Sequence, residues 1–402
     1  MFWGYNDAMK NTHLEHLEDE ILNRGSEGGK DVIEYLEQLG NFLHQRTSEV
    51  EITTKWDGAP AIICGVDPSN GKFFVGTKSV FNKTNPKVCY TDEIIDQYYS
   101  GQLAQKLKAC LQNLPQLGIK GVIQGDLLFT DDKKILHING ERVISFTPNT
   151  ITYTVPFNTQ LCSKISAAKV GIVFHTKYVG ESLAEMAAQF GVDISKLQKT
   201  PDVFVASANF TDPVGSSRFN ALDRMRFSAL INRARGSLKQ ASSFLDAMKN
   251  DGDIAMPSIF KIFFNSYVRE GKRIVNANKV VSDFARFYSA YLQKEVDSKK
   301  TKAAKTKYLQ IKNRGLAFIQ THKRSIYMTV ASYINLIEAK NFVIRRLEKA
   351  KSLGTFIRTS NGYKVTTPEG FVAIRNGKAI KLVDRLEFSK NNFNVEKNWD
   401  KK

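Results

Sequence analysis

The side chains best suited to chemistry stand in short runs along the chain. Lys55-Trp56-Asp57-Gly58 closes the β-like run VEITTKW. Thr77-Lys78-Ser79 follows KFFVG, and Gly125-Asp126-Leu127-Leu128 ends an apolar run. Phe174 sits in GIVFHT, and Glu369-Gly370-Phe371-Val372-Ala373 precedes GKAIKLVD, which carries Lys378 and Lys381. A lysine amine is a nucleophile only when neutral, and in water it titrates near ~10.4. Nearby cations and partial burial lower that value. Lys78, Lys378 and Lys381 are cations able to do this and to neutralise phosphate charge. Carboxylates are natural ligands of a hard cation such as Mg²⁺. Gly58, beside the lysine, would let the backbone approach a bound group closely. His137 and His175 have no cysteine or carboxylate at ligand-like spacing and read as structural.

The elements that must position these residues change in texture along the chain. Residues 1–49 read as a helical extension. His13, Leu14, Leu17, Ile21 and Leu22 fall at helical spacing, and Val32 to Phe42 continues it after a Gly-rich break. From Val50 short β-rich runs alternate with turns, PSNG at 68–71 reading as a hairpin turn, with a helix expected over Ile94–Leu114. After Gly215 the period returns to 3.6. Met225, Phe227, Leu230, Ile231, Ala234, Leu238, Ala241, Phe244, Leu245 and Met248 trace one apolar face. Strand-like runs reappear at TFIRTS, YKVTT and GFVAIRNGKAIKLVD. The simplest account is an α+β domain in two parts, 50–215 and 352–402, interrupted by an all-helical insertion at 216–351.

Taken in order, these runs resemble the motifs of the covalent nucleotidyltransferases: ATP-dependent DNA ligases, RNA ligases and mRNA capping enzymes. Lys55-Trp56-Asp57-Gly58 matches their K-x-D-G element. Gly125-Asp126-Leu127 is similar to G-E-L, Glu369-Gly370-Phe371-Val372 to E-G-x-V, and Lys378 with Lys381 to the last basic motif. The step of 12 residues from Glu369 to Lys381 is closest to the viral RNA ligases. The resemblance implies a ligase-adenylation (ATP-grasp-like) nucleotidyltransferase core of antiparallel sheets. It implies that Lys55 takes AMP from ATP, assisted by Lys378 and Lys381. It also implies nucleotide contacts from Asp57, Gly58, Lys78, Asp126 (to the ribose) and Phe174 (against adenine, with Tyr153 as a competing aromatic), and Mg²⁺ on Glu369. Departures are Ala59-Pro60 where an arginine is usual two residues after the glycine, Asp126 for the usual Glu, and only about twenty residues after Lys381. The last leaves no room for the C-terminal OB domain of DNA ligases and favours RNA over DNA as substrate. The whole chain also resembles a family carried by T-even-like tailed phages of marine bacteria.

Composition bounds the setting. The chain has 402 residues, 42% of them hydrophobic, enough for a large core and two domains. Four cysteines, Cys64, Cys89, Cys110 and Cys162, show no metal or disulfide framework, and neither a signal peptide nor a membrane-length apolar run is visible. A cytoplasmic protein is expected, in the host cytoplasm if phage-encoded. The formal charge of +18 is concentrated: 216–351 holds 28 of the 58 basic and 10 of the 40 acidic residues, leaving the remainder balanced at 30 and 30. That excess predicts an anionic partner, RNA or DNA, bound through the insertion. If the insertion is peripheral to the nucleotide pocket, its removal should spare nucleotide loading. Two other readings stay open: a degenerate ligase fold that only binds nucleic acid, and an enzyme that stops at nucleotide transfer.

Overall fold

The computed structural model describes residues 16–45, 50–138, 140–209, 215–250, 254–350, 354–359, 362–365, 370–375 and 378–386. The chain is α+β, with fourteen strands and ten helices among the described residues. Three sheets carry the strands.

The largest sheet runs β10-β8-β4-β2-β3, with β9 beside β8. Its strands are β2 (Ala61–Val66), β3 (Phe73–Gly76), β4 (Val122–Phe129), β8 (Val170–Val179), β9 (Ala187–Phe190) and β10 (Val203–Ala206). All its pairs are antiparallel except β8 with β10. The predicted turn at 68–71 joins β2 to β3. The helix expected over 94–114 is broken in two, α3 (Asp92–Tyr98) and α4 (Gly101–Asn113), by extended backbone at Tyr99 and Ser100. These helices cover one sheet face. Ala104, Leu107 and Cys110 meet Ile62, Cys64, Val75, Ile123, Leu127, Ile172 and Phe174 there.

The second sheet runs β12-β11-β7-β6-β5. It comprises β5 (Lys134–Ile138), β6 (Glu141–Phe146), β7 (Ile151–Pro156), β11 (Gly354–Thr359) and β12 (Gly362–Val365). Helix α5 (Gln160–Ala167) adds Cys162 and Ile165 to its core. The third sheet is small: β1 (Glu51–Lys55), β13 (Gly370–Arg375) and β14 (Lys378–Leu382). The chain that returns after the helices therefore divides. Its first hairpin extends the second sheet, with Gly354 opposite Thr154, and its second joins β1, with Gly370 opposite Lys55.

The helices correct the expected organisation. The described residues of the 1–49 extension (16–45) and those of the 216–351 insertion are one packing unit. After the single turn α1 (Glu20–Asn23), α2 (Gly25–Gln45) packs on α6 (Ala221–Asn250), and Val32, Leu36, Leu39 and Leu43 share a core with Ile231, Leu238 and Leu245. The break falls at the start of the Gly-rich stretch, where Arg24 separates α1 from α2 and Gly25 takes a φ of 67°, while Gly28 and Gly29 belong to the first turns of α2. A Cβ on Gly28 would lie 2.1 Å from the Glu20 carbonyl oxygen, and one on Gly29 would lie 2.6 Å from Leu238 Cδ1. Close helix contact thus outweighs the weak helix propensity of glycine, about 1 kcal/mol per residue. Of the apolar face predicted for α6, Met225 is the exception, 65% exposed. The unit is completed by α7 (Met256–Arg269), α8 (Ala277–Ser298), α9 (Lys302–Thr321) and α10 (Lys323–Leu347). Ile52, Phe371, Ala373 and Leu382 of the third sheet belong to the same core. The insertion is thus the floor under β1, β13 and β14, not a peripheral attachment. No helix among the described residues is long and apolar enough to cross a membrane.

Candidate functional site

The third sheet sets the first half of the site. Cross-strand partners share a face, and residues two apart along a strand share it too. Thr53 pairs with Val372, and Val372 with Lys381. Lys55, two residues beyond Thr53, therefore stands on the same face as Lys381, opposite the face that Ile52, Phe371, Ala373 and Leu382 bury against the helices. Strand spacing of about 4.8 Å and a rise of about 3.3 Å per residue separate the Lys55 and Lys381 Cα atoms by about 12 Å, within reach of two long side chains converging on one phosphate chain. Lys378 opens β14 opposite Arg375, three residues from Lys381 and so at a position of the other parity. Glu369, the expected metal ligand, lies outside the described residues.

The second half is the end of β4. Backbone bonds from Ala59 N to the Leu127 oxygen (3.0 Å) and from Leu127 N to the Pro60 oxygen (3.1 Å) lay the loop after Lys55 along this strand. Gly58 meets Asp126 so closely that a Cβ on it would come within 2.6 Å of the Asp126 Cβ. Trp56 and Val383, which follow Lys55 and Lys381, enter the cluster that contains Val173, the register partner of Asp126. Lys55, Gly58, Asp126 and Lys381 are thus drawn toward one place. Lys78 is exposed in a short 3-10 turn (Lys78–Phe81) directly after β3. The hydroxyls of Thr77, Ser79 and Tyr99 bond one another at 2.9–3.1 Å and fix the residues on either side of it.

Two expected nucleotide contacts are used by the fold instead. Asp57 is 4% exposed. Its Oδ1 accepts from Asn149 Nδ2 (2.8 Å), and its Oδ2 accepts from Thr150 N (2.7 Å), Thr150 Oγ1 (2.8 Å) and Ile151 N (2.7 Å). Its own N–H donates to the Tyr153 hydroxyl at 2.8 Å. Asp57 therefore ties the Lys55 loop to the turn before β7. Phe174 is 1% exposed and faces the α3–α4 core, where no base can stack on it. The competing aromatic, Tyr153, is also buried, with its ring 5.0 Å from that of Trp56.

His175, read as structural from the sequence, lies at the site. Gln124 pairs with Thr176 but Gly125 with Phe174, so His175 is the extra residue of a β-bulge. A bulge re-aims the side chain it frees. The His175 Nε2 lies 3.5 Å from Asp126 Oδ1, and its Nδ1 lies 2.7 Å from Thr176 Oγ1. Nε2 is closed to solvent and makes no hydrogen bond among the described residues. A lone histidine in an apolar strand carries no sequence signal for this, because the bulge exists only in the pairing of β4 with β8. The cysteine thiols offer no nucleophile. All four are buried, and burial pushes Cys64 well up, Cys89 up to about 11 and Cys110 up to about 12.

The chain belongs to a family of unknown function, DUF6267, whose profile matches residues 11–397. The match spans the helices as well as the three sheets. No curated protein matches the chain, and no solved structure matches it. Among the described residues, no group of three or more His, Cys, Asp or Glu side chains is arranged to hold a metal ion.

Proposed function

We propose that the chain is a lysine-dependent nucleotidyltransferase of the polynucleotide-ligase kind, with ATP as nucleotide donor and RNA ahead of DNA as acceptor. The observation that carries this reading is the placement of Lys55 and Lys381 on one face of the small sheet, with Gly58 pressed on Asp126 beside them. Neutral Lys55 Nζ attacks the α-phosphorus of ATP. An N–P bond forms, the bond from that phosphorus to the oxygen leading to the β-phosphate breaks, pyrophosphate leaves, and the amine proton passes to solvent. Lys381 compensates charge on the phosphates, which is the main demand of such a transfer. A 5′-phosphate oxygen then attacks the same phosphorus, the N–P bond breaks and returns the Lys55 amine, and a 3′-hydroxyl attacks the 5′-phosphate so that the ends join as AMP leaves. Mg²⁺, when bound, neutralises phosphate charge. By resemblance Glu369 would hold it.

The experiment is intact-mass analysis of protein stripped with pyrophosphate, then given ATP and Mg²⁺, with GTP as control. One AMP should be gained, and none by Lys55→Ala. A second reading has its own support. Asp57 and Phe174 are consumed by the fold, as in a ligase-like protein that binds nucleic acid without loading a nucleotide. Wild-type protein that stays unmodified in this assay would favour that second reading.

A further inference from the structure

The positive charge of the helical unit is unevenly compensated. Arg346 pairs with Asp223, Lys340 with Glu18, Arg235 with Glu37 and Lys272 with Glu270. From Ser298 to Ile337, in contrast, the sequence holds nine Lys or Arg and no Asp or Glu, although Lys299 reaches back to Glu295 at 2.9 Å. This stretch contains all of α9 and the start of α10. Lys302 and Lys305 are exposed on α9 and form no ion pair among the described residues. At 3.6 residues per turn, Lys302, Lys305, Lys312 and Gln320 fall within about 80° of arc and form a stripe about 27 Å long. The stripe leads to a groove of about 600 Å³ between α8 and the junction of α9 with α10. Asn278, Ser282, Gln320, Lys323, Arg324 and Tyr327 line it, over Val281 and Ala285. Neither Lys323 nor Arg324 has an acidic partner among the described residues.

Cations beside an aromatic ring and amide side chains are the groups that hold an unpaired nucleotide: the ring stacks on the base and the cations take its phosphates. The groove has the volume of a small-molecule pocket. That volume is enough for one unpaired nucleotide, whose base is free to stack on a ring, whereas the bases of a duplex are already stacked on one another. We infer that α9 and this groove form a track for single-stranded nucleic acid, with phosphates along the Lys302–Lys305 stripe and a base against Tyr327 between Lys323 and Arg324. The track is independent of nucleotide loading: a chain that never takes up AMP would still bind strands here.

The test uses the full chain and fluorescence anisotropy with labelled oligo-dT, oligo-U and a mixed-sequence duplex of equal length, titrated between about 50 and 200 mM salt. Poly-glutamate serves as competitor. Single strands should bind at least about tenfold more tightly than the duplex, since only they place a base on the ring. Lys302→Glu with Lys305→Glu should cut affinity at least tenfold and lower the slope of log affinity against log salt by roughly 1.4, two single-strand phosphate contacts. Tyr327→Ala should lose roughly 5- to 100-fold while Tyr327→Phe keeps most of the affinity. Arg226→Ala with Arg233→Ala, exposed on α6 outside the track, should change little. Unaltered thermal melts separate these losses from misfolding. The inference is overturned if the duplex binds as well as the strand, if poly-glutamate competes as well as an oligonucleotide, or if the α6 pair costs as much as the α9 pair. Equal binding by Tyr327→Ala and wild type would overturn it too.

Discussion

Lys340 of α10 and Glu18 of the N-terminal segment form an ion pair shut away from water, with side chains 1% and 0% exposed. The ammonium reaches both carboxylate oxygens, at 2.8 and 2.7 Å. Next to it the Arg385 guanidinium donates to both Asp19 oxygens (2.9 and 3.0 Å), to the Tyr333 hydroxyl (3.0 Å) and to Asn265 (2.8 Å). Four distant stretches of chain meet in this network: the N-terminal segment, α7, α10 and the segment after β14. One of them is the segment that leaves β14 just after Lys381.

Removing one member of the pair should be far worse than removing both. Lys340→Met strands a buried carboxylate and should cost about 3–5 kcal/mol of unfolding free energy. Lys340→Met with Glu18→Leu should recover most of that loss, since two apolar chains of similar volume need no compensation. Urea denaturation of the two variants checks it. A double variant as unstable as the single one would mean that the pair itself, not its desolvation, holds the segments together.

His16 makes stability depend on pH. Burial is the main reason its imidazole is pushed down to about 2; Glu18 opposes this, while Arg385, Lys340 and Lys381 add to it. The folded chain thus keeps a neutral ring where the unfolded chain takes up a proton near the ordinary 6.5. The stability linked to His16 is complete above 6.5 and is lost as pH falls from there toward 2. Glu18 is driven up by burial but held at about 2 by Lys340, His16 and Arg385, so it adds its own loss only below its ordinary 4.5. Asp19, raised by burial, works in the opposite sense. Melting temperatures should therefore fall between pH 7 and pH 5 in wild type and fall less in His16→Phe. Parallel curves for the two proteins would remove His16 as the cause.

Asp57 should matter to folding before it matters to any ligand. Asp57→Ala deletes the acceptor of four hydrogen bonds and leaves the half-buried Thr150 and buried Ile151 N–H groups unpaired. The expected loss is about 2–4 kcal/mol with no nucleotide present. Denaturation of the nucleotide-free variant tests this. Wild-type stability combined with lost nucleotide uptake would return Asp57 to the role implied by the ligase motif.

His175 should act through Asp126. Nε2 stands 3.5 Å from Asp126 Oδ1 without a hydrogen bond to it, so the bond would form only as a nucleotide draws the carboxylate in; His175→Ala should then raise the KM for ATP in AMP loading by roughly tenfold, about the worth of one hydrogen bond to a charged group. His175→Gln, which keeps a donor at similar reach, should recover part of it. Equal loss of kcat by both variants, with KM unchanged, would argue that the ring only packs the bulge.

Much of the organisation was legible in residue order because it is local. Period-two and period-3.6 patterns depend on neighbours a few residues apart, so the strands around Lys55 and Asp126, the turn at 68–71 and the apolar face of α6 could be read directly. The charge imbalance was likewise countable, and the site motifs could be quoted from residue types alone. Long-range pairing was not legible. Nothing local says that β11 extends the sheet of β7 while β13, a few residues on, lies beside β1, because register is settled by which faces find a common core. Nor could the chain announce that its Gly-rich stretch is helical, since that rests on Glu20 and Leu238 approaching where a Cβ would stand. The tertiary structure alone turned Phe174 inward, freed His175 at a bulge, spent Asp57 on a turn some ninety residues away, and set the site strands on the helices. Each of these is a choice between burying a group and leaving it to water, and the chain makes that choice only once its distant parts have met.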